Sequence, residues 1–204
     1  MEALKLVDFD QKEKQEKPIL CLIGLIRSCG AIDPMVIQMR AQKYGLDLKS
    51  LEINPLFNFW TYYTFDYLMP DDTDGEAIVY YDSIPYMDAI ANTRLDYELV
   101  APVFLKPESY LSIFYNGYDD TDPDVHALFD HFKKSKDVFD SFKMERILEC
   151  IETCRMTEQL IVFFPKLEEF DPKTTELFKK AIYKMPMPYL TGMTLQDYRS
   201  KIKR

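Results

Sequence analysis

The hydrophobic pattern near the N-terminus predicts a buried helix. Seven of the eight residues over 19–26 are apolar, so this helix would be hydrophobic on nearly all sides, as in the centre of a core. Pro18 fits its first turn, and Gly30 fits the position just past its end. Residues 11–17 carry charges of both signs, which indicates a core helix rather than a secretory signal.

Three further helices are predicted before residue 69. Asp33 and the proline after it are a typical cap and first residue for a helix that ends at Gly45. A short helix follows over 46–53 and is broken by the Asn54-Pro55 pair. Residues 56–68 are rich in aromatic side chains and predict a fourth helix that is mostly buried.

The pattern changes to short strands in the middle of the chain. Residues 71–75 have the composition of a turn, and residues 77–81 and 110–115 have the β-branched and aromatic composition of strands. A weaker strand over 100–105 contains Pro102, which restricts it to an edge position. The residues 87–93 fit a helix.

The C-terminal part returns to helical spacing of apolar residues. Apolar residues with this spacing occur over 125–132, 147–154 and 177–185, and each set predicts a helix. The last of these helices begins earlier, at Asp171 and the proline after it. The sequence therefore predicts a predominantly helical α+β fold. We divide it into a helical unit at 1–55, an acidic aromatic α+β segment with a small sheet at 56–124, and a helical unit at 125–204. At this length we expect all three to pack as one continuous globular domain.

Negative charge is concentrated in the middle third. The chain has a net charge of −9, whereas residues 52–124 alone carry fifteen acidic and two basic residues, a net charge of −13. The flanking parts 1–51 and 125–204 have net charges of +1 and +3. Such a field repels nucleic-acid phosphates and speeds the encounter with a basic protein surface.

The same segment is rich in aromatic residues, with 16 of the 29 in the chain between Phe57 and Tyr118. A tyrosine-rich core with a solvated acidic rim would explain this composition. An acidic, aromatic docking surface for a basic protein partner would explain it too, and it predicts a non-catalytic assembly or regulatory factor. The predicted contact residues are Asp71, Asp72, Asp74, Tyr80, Tyr81, Tyr115, Tyr118, Asp119, Asp120 and Asp122.

One motif suggests an alternative function, a helix-turn-helix transcriptional regulator. Ala41, Gly45 and Leu51 have the offsets of the small, turn and apolar positions of that motif. Asp47 and Glu52 on the second helix disfavour DNA, so a plain helix-packing unit is the stronger interpretation. Under the DNA-binding alternative, the contacts would come from Arg40, Lys43, Lys49, Ser50 and Asn54.

A metal-dependent enzyme is the second alternative. The acidic loops at 71–76 and 119–124 offer oxygen ligands of the kind that Ca²⁺ and Mg²⁺ prefer, but neither has EF-hand spacing. The two histidines, His126 and His131, and the pair Cys150 and Cys154 do not form a zinc-binding pattern. No nucleophile elbow or phosphate-binding loop occurs. We therefore expect no catalytic residue, no metal site and no cofactor.

The cysteines and the lengths of the apolar runs bear on location. Four cysteines in 204 residues do not make a disulfide framework, which favours a reducing compartment. No apolar run approaches the ~20 residues needed to cross a bilayer. The sequence therefore predicts a cytoplasmic protein without a membrane span.

Overall fold

The structure, a computed structural model, describes residues 9–68, 74–96, 103–134 and 171–203. The described helices, numbered α1 to α9, are Phe9–Cys29, Pro34–Lys43, Leu48–Glu52, Pro55–Trp60, Met87–Leu95, Pro107–Asn116, Pro123–Lys134, Pro172–Ile182 and Leu195–Ile202. The described strands, numbered β1 to β5, are Ala31–Ile32, Thr61–Leu68, Asp74–Tyr80, Pro186–Met187 and Met193–Thr194. Two 3₁₀ turns span Tyr81–Tyr86 and Pro188–Leu190. The fold is α+β and predominantly helical, as the sequence predicts.

Helix α1 forms the centre of the larger hydrophobic core. Leu22, Ile23 and Ile26 are fully buried, and the helix packs against α2, α4, α6 and β3. The predicted start was wrong, because α1 begins at Phe9 and contains Pro18 in its interior. The charged residues before Pro18 have high helix propensity, so the helix extends on the N-terminal side of this proline. Gly30 ends α1 as predicted, with a φ of 70°.

A three-stranded antiparallel sheet lies against this core in the order β1-β3-β2. Ala31 pairs with Val79, and Tyr62 pairs with Val79 from the other side. The predicted strand at 77–81 is confirmed over 77–80 as part of β3, and Tyr81 begins the 3₁₀ turn. Among the described strands, β2 lies at one end of the sheet, and its register shifts between Thr64 and Tyr67.

The predicted helix over 56–68 was correct only in its first turn and a half. Helix α4 ends at Trp60, and the chain continues directly into strand β2. The residues from Thr61 to Leu68 are mostly β-branched or aromatic, which suits a pleated strand. Pairing with β3, which is distant in sequence from the start of β2, decides the outcome.

The predicted strand over 110–115 was wrong, because these residues belong to α6. Pro107 occupies the first turn of α6, and Gly117 ends it with a left-handed φ of 81°. Tyr110 and Ile113 lie one turn apart and are buried against α1. Residues 103–105 form no regular element, and the rest of the predicted strand at 100–105 lies outside the described residues.

The C-terminal helices form a second hydrophobic cluster. Helix α7 confirms the prediction at 125–132, and α8 confirms the prediction at 177–185 as far as Ile182. Phe129 and Phe178 are buried in the same cluster. The side chain of Asp171 caps α8 by accepting a hydrogen bond from the N–H of Thr174 at 3.0 Å. The predicted helix over 147–154 lies outside the described residues, and the division into three units stays a prediction.

None of the helices that the structure describes combines the length and the apolar character that are needed to cross a membrane.

Candidate docking surface

Helix α4 holds an aromatic side chain outside the core because its start is fixed by a side-chain cap. The Oδ1 atom of Asn54 accepts hydrogen bonds from the N–H groups of Leu56 and Phe57, each at 3.0 Å. Phe57 is buried and anchors the inner side of the helix. Two residues further along, a helix points to a different side. Phe59 therefore lies outside the core, with 71% of its area exposed.

Four side chains from α4 and the end of α6 form one connected set of edge-to-face ring contacts, which we call the aromatic surface: Phe59, Trp60, Phe114 and Tyr115. The ring centroid of Trp60 lies 5.1 Å from that of Phe59 and 5.7 Å from that of Phe114. Phe114 lies 5.1 Å from Tyr115, whose side chain is 68% exposed. The two outer rings are therefore open to solvent, while the two inner rings are half-buried.

The inner rings of the aromatic surface pack against the buried residues around α1. Trp60 stacks on buried Tyr80 with 6.0 Å between centroids and 3° between ring planes. The Arg27 guanidinium lies 5.3 Å from the Tyr80 centroid, and its Nη1 donates hydrogen bonds to the carbonyls of Ile113 and Phe114 at 3.1 and 3.2 Å. A cation at these carbonyls stabilises the end of α6. This fixes the position of Phe114.

Arg27 also borders a shallow pocket of about 460 Å³. The pocket is lined by Arg27, Tyr81, Asp82, Ile84, Pro85 and Tyr86. It has one cation and one carboxylate among otherwise apolar and phenolic groups. Tyr81 and Ile84 are exposed, so the pocket adds apolar surface next to Tyr80 and Arg27.

The middle third has less cationic surface than its composition suggests. Its two basic residues are Arg94 and Lys106. The side chain of Arg94 is only 2% exposed and donates hydrogen bonds to backbone carbonyls in the core, whereas Lys106 is exposed. Asp82 and Asp88 lie at the surface of the same segment. Of the charged residues of the middle third, Asp82 is the one that lines the pocket.

The four predicted contact tyrosines divide between surface and interior. Tyr81 and Tyr115 are exposed, as a contact role requires, whereas Tyr80 is buried beneath Trp60. Tyr118 is half-buried and stacks on Phe129 with 3.5 Å between centroids.

The three predicted contact residues in the loop before α7 are engaged within the loop and the helix. Buried Asp119 accepts hydrogen bonds from the N–H and the hydroxyl of Thr121, at 3.0 and 2.6 Å. Asp122 caps α7 through the N–H groups of the first turn. Asp120 lies 3.2 Å from Nδ1 of His126 and is half-exposed. Asp120 is thus the carboxylate of this loop that is best placed for outside contact.

The acidic residues before β3 lie mostly beyond what the structure describes. Asp71 and Asp72 fall outside the described residues, together with most of the predicted turn at 71–75. Asp74 is the first residue of β3 and pairs with Leu68.

Two of the predicted DNA contacts have other roles in the structure. The Arg40 guanidinium lies 3.4 Å from the ring centroid of Phe104, and Asn54 caps α4. Lys43 and Lys49 are exposed, and the side chain of Ser50 lies outside the described part. Helix α3, which would be the recognition helix, has five residues. These placements favour a packing role for the motif.

The helix-turn-helix offsets themselves mark a packing unit. Ala41 and Leu51 are buried, and Gly45 has a left-handed φ of 76°. A small residue at 41 allows the close approach of a neighbouring helix, and a glycine at 45 allows the turn.

Three observations on the described residues concern the alternative of a metal-dependent enzyme. Within the described ranges, no three Asp, Glu, His or Cys side chains come together in a way that could hold a metal ion. Burial raises the pKa of the Cys21 thiol to about 11, so this thiol is a poor nucleophile near neutral pH. Nε2 of His131 lies 3.2 Å from the Thr174 hydroxyl, in the contact between α7 and α8.

Three members of the aromatic surface, Phe59, Trp60 and Phe114, were not among the predicted contact residues. Their exposure depends on the end of α4 at Trp60 and on the helical state of α6, both of which the sequence pattern missed. Arg27 was also missed, because its role depends on a neighbour far away in sequence.

Comparisons of the chain with protein-family models, with curated proteins and with solved structures found no match.

Proposed function

We propose that this protein is a non-catalytic assembly or regulatory factor that binds a basic protein partner through the aromatic surface. The observation that carries the proposal is the connected set of four rings whose outer members, Phe59 and Tyr115, are largely exposed. Contiguous apolar patches of this kind on a monomer often mark interaction sites. Trp, Tyr and Arg are also the residues that dominate binding energy at interfaces.

The charge of the surrounding segment supports a basic partner. Residues 52–124 have a net charge of −13, and one of their two cations is buried. Complementary charge speeds association and selects against acidic partners. Arginine or lysine side chains of the partner could also lie over the exposed rings. Cation–π attraction would then add to the electrostatic attraction between the acidic segment and the partner.

We propose a cytoplasmic location as part of the same function. The two cysteines that the structure describes, Cys21 and Cys29, are buried. Buried thiols are compatible with a reducing compartment, where disulfides rarely persist.

The test removes the two exposed rings. We expect the double variant Phe59→Ala/Tyr115→Ala to capture at least about tenfold less partner from a native-host extract than the wild type, because exposed aromatic anchors carry much of the energy of an interface. The variant should unfold within about 0.5 kcal/mol of the wild type, since both side chains are mostly solvent-exposed. Quantitative mass spectrometry of the captured proteins measures the difference.

The matched control is Met35→Ala/Met39→Ala, which removes two apolar side chains that are 65% and 64% exposed on α2. This control should capture the same proteins as the wild type. Equal capture by the aromatic variant, or an equal loss in the methionine control, would refute the proposed surface. Raised salt should also release the partner, because exposed charge pairs are screened.

A further inference from the structure

Strand β2 leaves one of its edges unpaired among the described residues. It pairs with β3 along one side, and the order β1-β3-β2 puts it at the end of the sheet. An edge strand presents N–H and C=O groups that another strand can bind.

The register identifies which backbone groups face the open edge. The N–H of Tyr80 donates to the carbonyl of Gly30 at 2.9 Å, so Tyr80 directs its backbone groups toward β1. Along a strand, the direction of the backbone N–H and C=O groups alternates from one residue to the next. The backbone groups of Ile78, two residues from Tyr80, therefore also point toward β1. Tyr63 lies opposite Ile78 in β2. Tyr63 and Ile78 therefore form no backbone hydrogen bonds with each other. The N–H and C=O of Tyr63 point instead to the open edge of β2.

The first half of β2 has few of the features that protect an edge strand. Its sequence contains no proline and no lysine, and Asp66 is its one charged residue. The register shift between Thr64 and Tyr67 distorts the second half, which discourages pairing there. The regular part of the edge is therefore 61–64, where Tyr62 is exposed and the side chain of Thr61 is buried.

Charge decides which kind of strand fits this edge. A second copy of the chain would bring together two segments that each have a net charge of −13. Like charges oppose that association, whereas a basic segment is attracted. The edge also begins directly after Trp60, so one partner could contact the aromatic surface and the edge together.

We propose that the partner includes an extended, basic segment that adds as a fourth strand to the open edge of β2, with hydrogen bonds to the backbone of Tyr63. This inference rests on the proposed function and specifies its mode of binding. Main-chain hydrogen bonds supply affinity in this mode, and alternate side chains supply specificity.

The test uses Tyr63→Pro and its matched control Tyr63→Ala. Proline removes the N–H that faces the open edge and no bond of the β2–β3 ladder, so an edge position tolerates it. Alanine removes the same side chain and keeps the N–H. The difference between the two variants therefore isolates the backbone contact.

The probe is a fluorescently labelled panel of eight-residue peptides, as long as β2, with lysine at alternate positions and β-branched or aromatic residues between them. We expect the tightest peptide to bind the wild type and Tyr63→Ala within a factor of about two, and Tyr63→Pro about tenfold more weakly, because a backbone hydrogen bond is lost. Fluorescence anisotropy gives the Kd values. Equal binding to the alanine and proline variants, or no binding of any peptide to the wild type, would overturn the proposal.

A second measurement does not depend on the stability of the proline variant. N-methylation of alternate residues in the same peptide removes the N–H donors of those residues. When the methylated residues are the ones that face β2, binding to the wild-type chain should be abolished. Unchanged binding would contradict strand addition. Self-association of the wild type that Tyr63→Pro abolishes would overturn the proposal in favour of a second copy.

The outcome is separable from that of the proposed function. If Phe59→Ala/Tyr115→Ala loses the native partner and Tyr63→Pro keeps it, the aromatic surface binds the partner without strand addition. If Tyr63→Pro loses the native partner and the aromatic variant keeps it, the edge binds and the aromatic surface does not.

Discussion

Arg94 ties three separate parts of the chain together from inside the core. Its Nη2 donates to the carbonyls of Cys29, Ala31 and Pro188 at 2.7, 2.9 and 2.7 Å, and its Nε donates to Pro188 at 3.0 Å. These carbonyls belong to the end of α1, to β1 and to the C-terminal 3₁₀ turn. A buried charge is tolerated when it is hydrogen-bonded in this way. The residue is therefore structural, although it lies in the segment that we assign to binding.

We expect Arg94→Ala to lower the free energy of unfolding by about 3–5 kcal/mol, because several buried carbonyls lose a charged donor. Urea unfolding followed by circular dichroism measures this loss. Lys106→Ala removes the other cation of the middle third, which is exposed, and should change stability by less than about 0.5 kcal/mol. Arg94→Ala with a stability like that of Lys106→Ala would contradict the structural role.

Helices α1 and α6 approach each other closely at Gly24. A Cβ atom at this position would overlap with the carbonyl oxygen of Tyr110, which is part of the α6 backbone. Backbone cannot move aside as a flexible side chain does. Glycine is therefore required here for contact, in the middle of a buried helix. The position of α6, and with it that of Phe114 and Tyr115, depends on this contact.

We expect Gly24→Ala to lower the free energy of unfolding by about 1–3 kcal/mol, because the added methyl group overpacks the contact between α1 and α6. The matched control is Gly45→Ala, where nothing lies within 4 Å of the added atom. Its cost should be about 1–2 kcal/mol, from the left-handed φ alone. Near-ultraviolet circular dichroism separates the two, because only Gly24→Ala should disturb the rings at Trp60 and Phe114. An unchanged spectrum for Gly24→Ala would refute the coupling.

The sequence predicted those elements whose ends have local chemical signals. Asp33 caps α2 and Asp171 caps α8, as their positions before proline indicated. The failures at 56–68 and 110–115 both concern aromatic-rich runs, whose composition suits a strand or a buried helix equally well. In β2 the pairing with β3 decided the state. For α6 the local signals of a helix were present, since Pro107 and Gly117 lie at its two ends. The prediction of a strand followed the β-branched and aromatic composition of 110–115 instead.

The candidate site was predictable in its composition and not in its geometry. The sequence located the acidic, aromatic segment and included Tyr81 and Tyr115, which are exposed. It also included Tyr80 and Asp119, which are buried. Exposure of a tyrosine depends on packing between elements far apart in sequence, such as the stacking of Trp60 on Tyr80. No local pattern contains that information.

At the scale of the whole molecule, the two larger hydrophobic clusters among the described residues and the acidic segment have different roles. The cluster around α1 and the C-terminal cluster around α7 and α8 bury the apolar helix faces. The inner rings of the aromatic surface, Trp60 and Phe114, pack against the α1 cluster, and its outer rings, Phe59 and Tyr115, remain exposed on the acidic segment. The position of the aromatic surface beside the open edge of β2 favours one partner-binding face on the molecule.

Amide hydrogen exchange of the complex tests the location of this face most directly. The native-host protein that the wild type captures is purified, and exchange is compared between the free and the bound chain. We predict slower exchange upon binding at 57–64 and 112–117, which include the aromatic surface and the first half of β2. Slower exchange confined to α2 and α3, with 57–64 and 112–117 unchanged, would contradict the account.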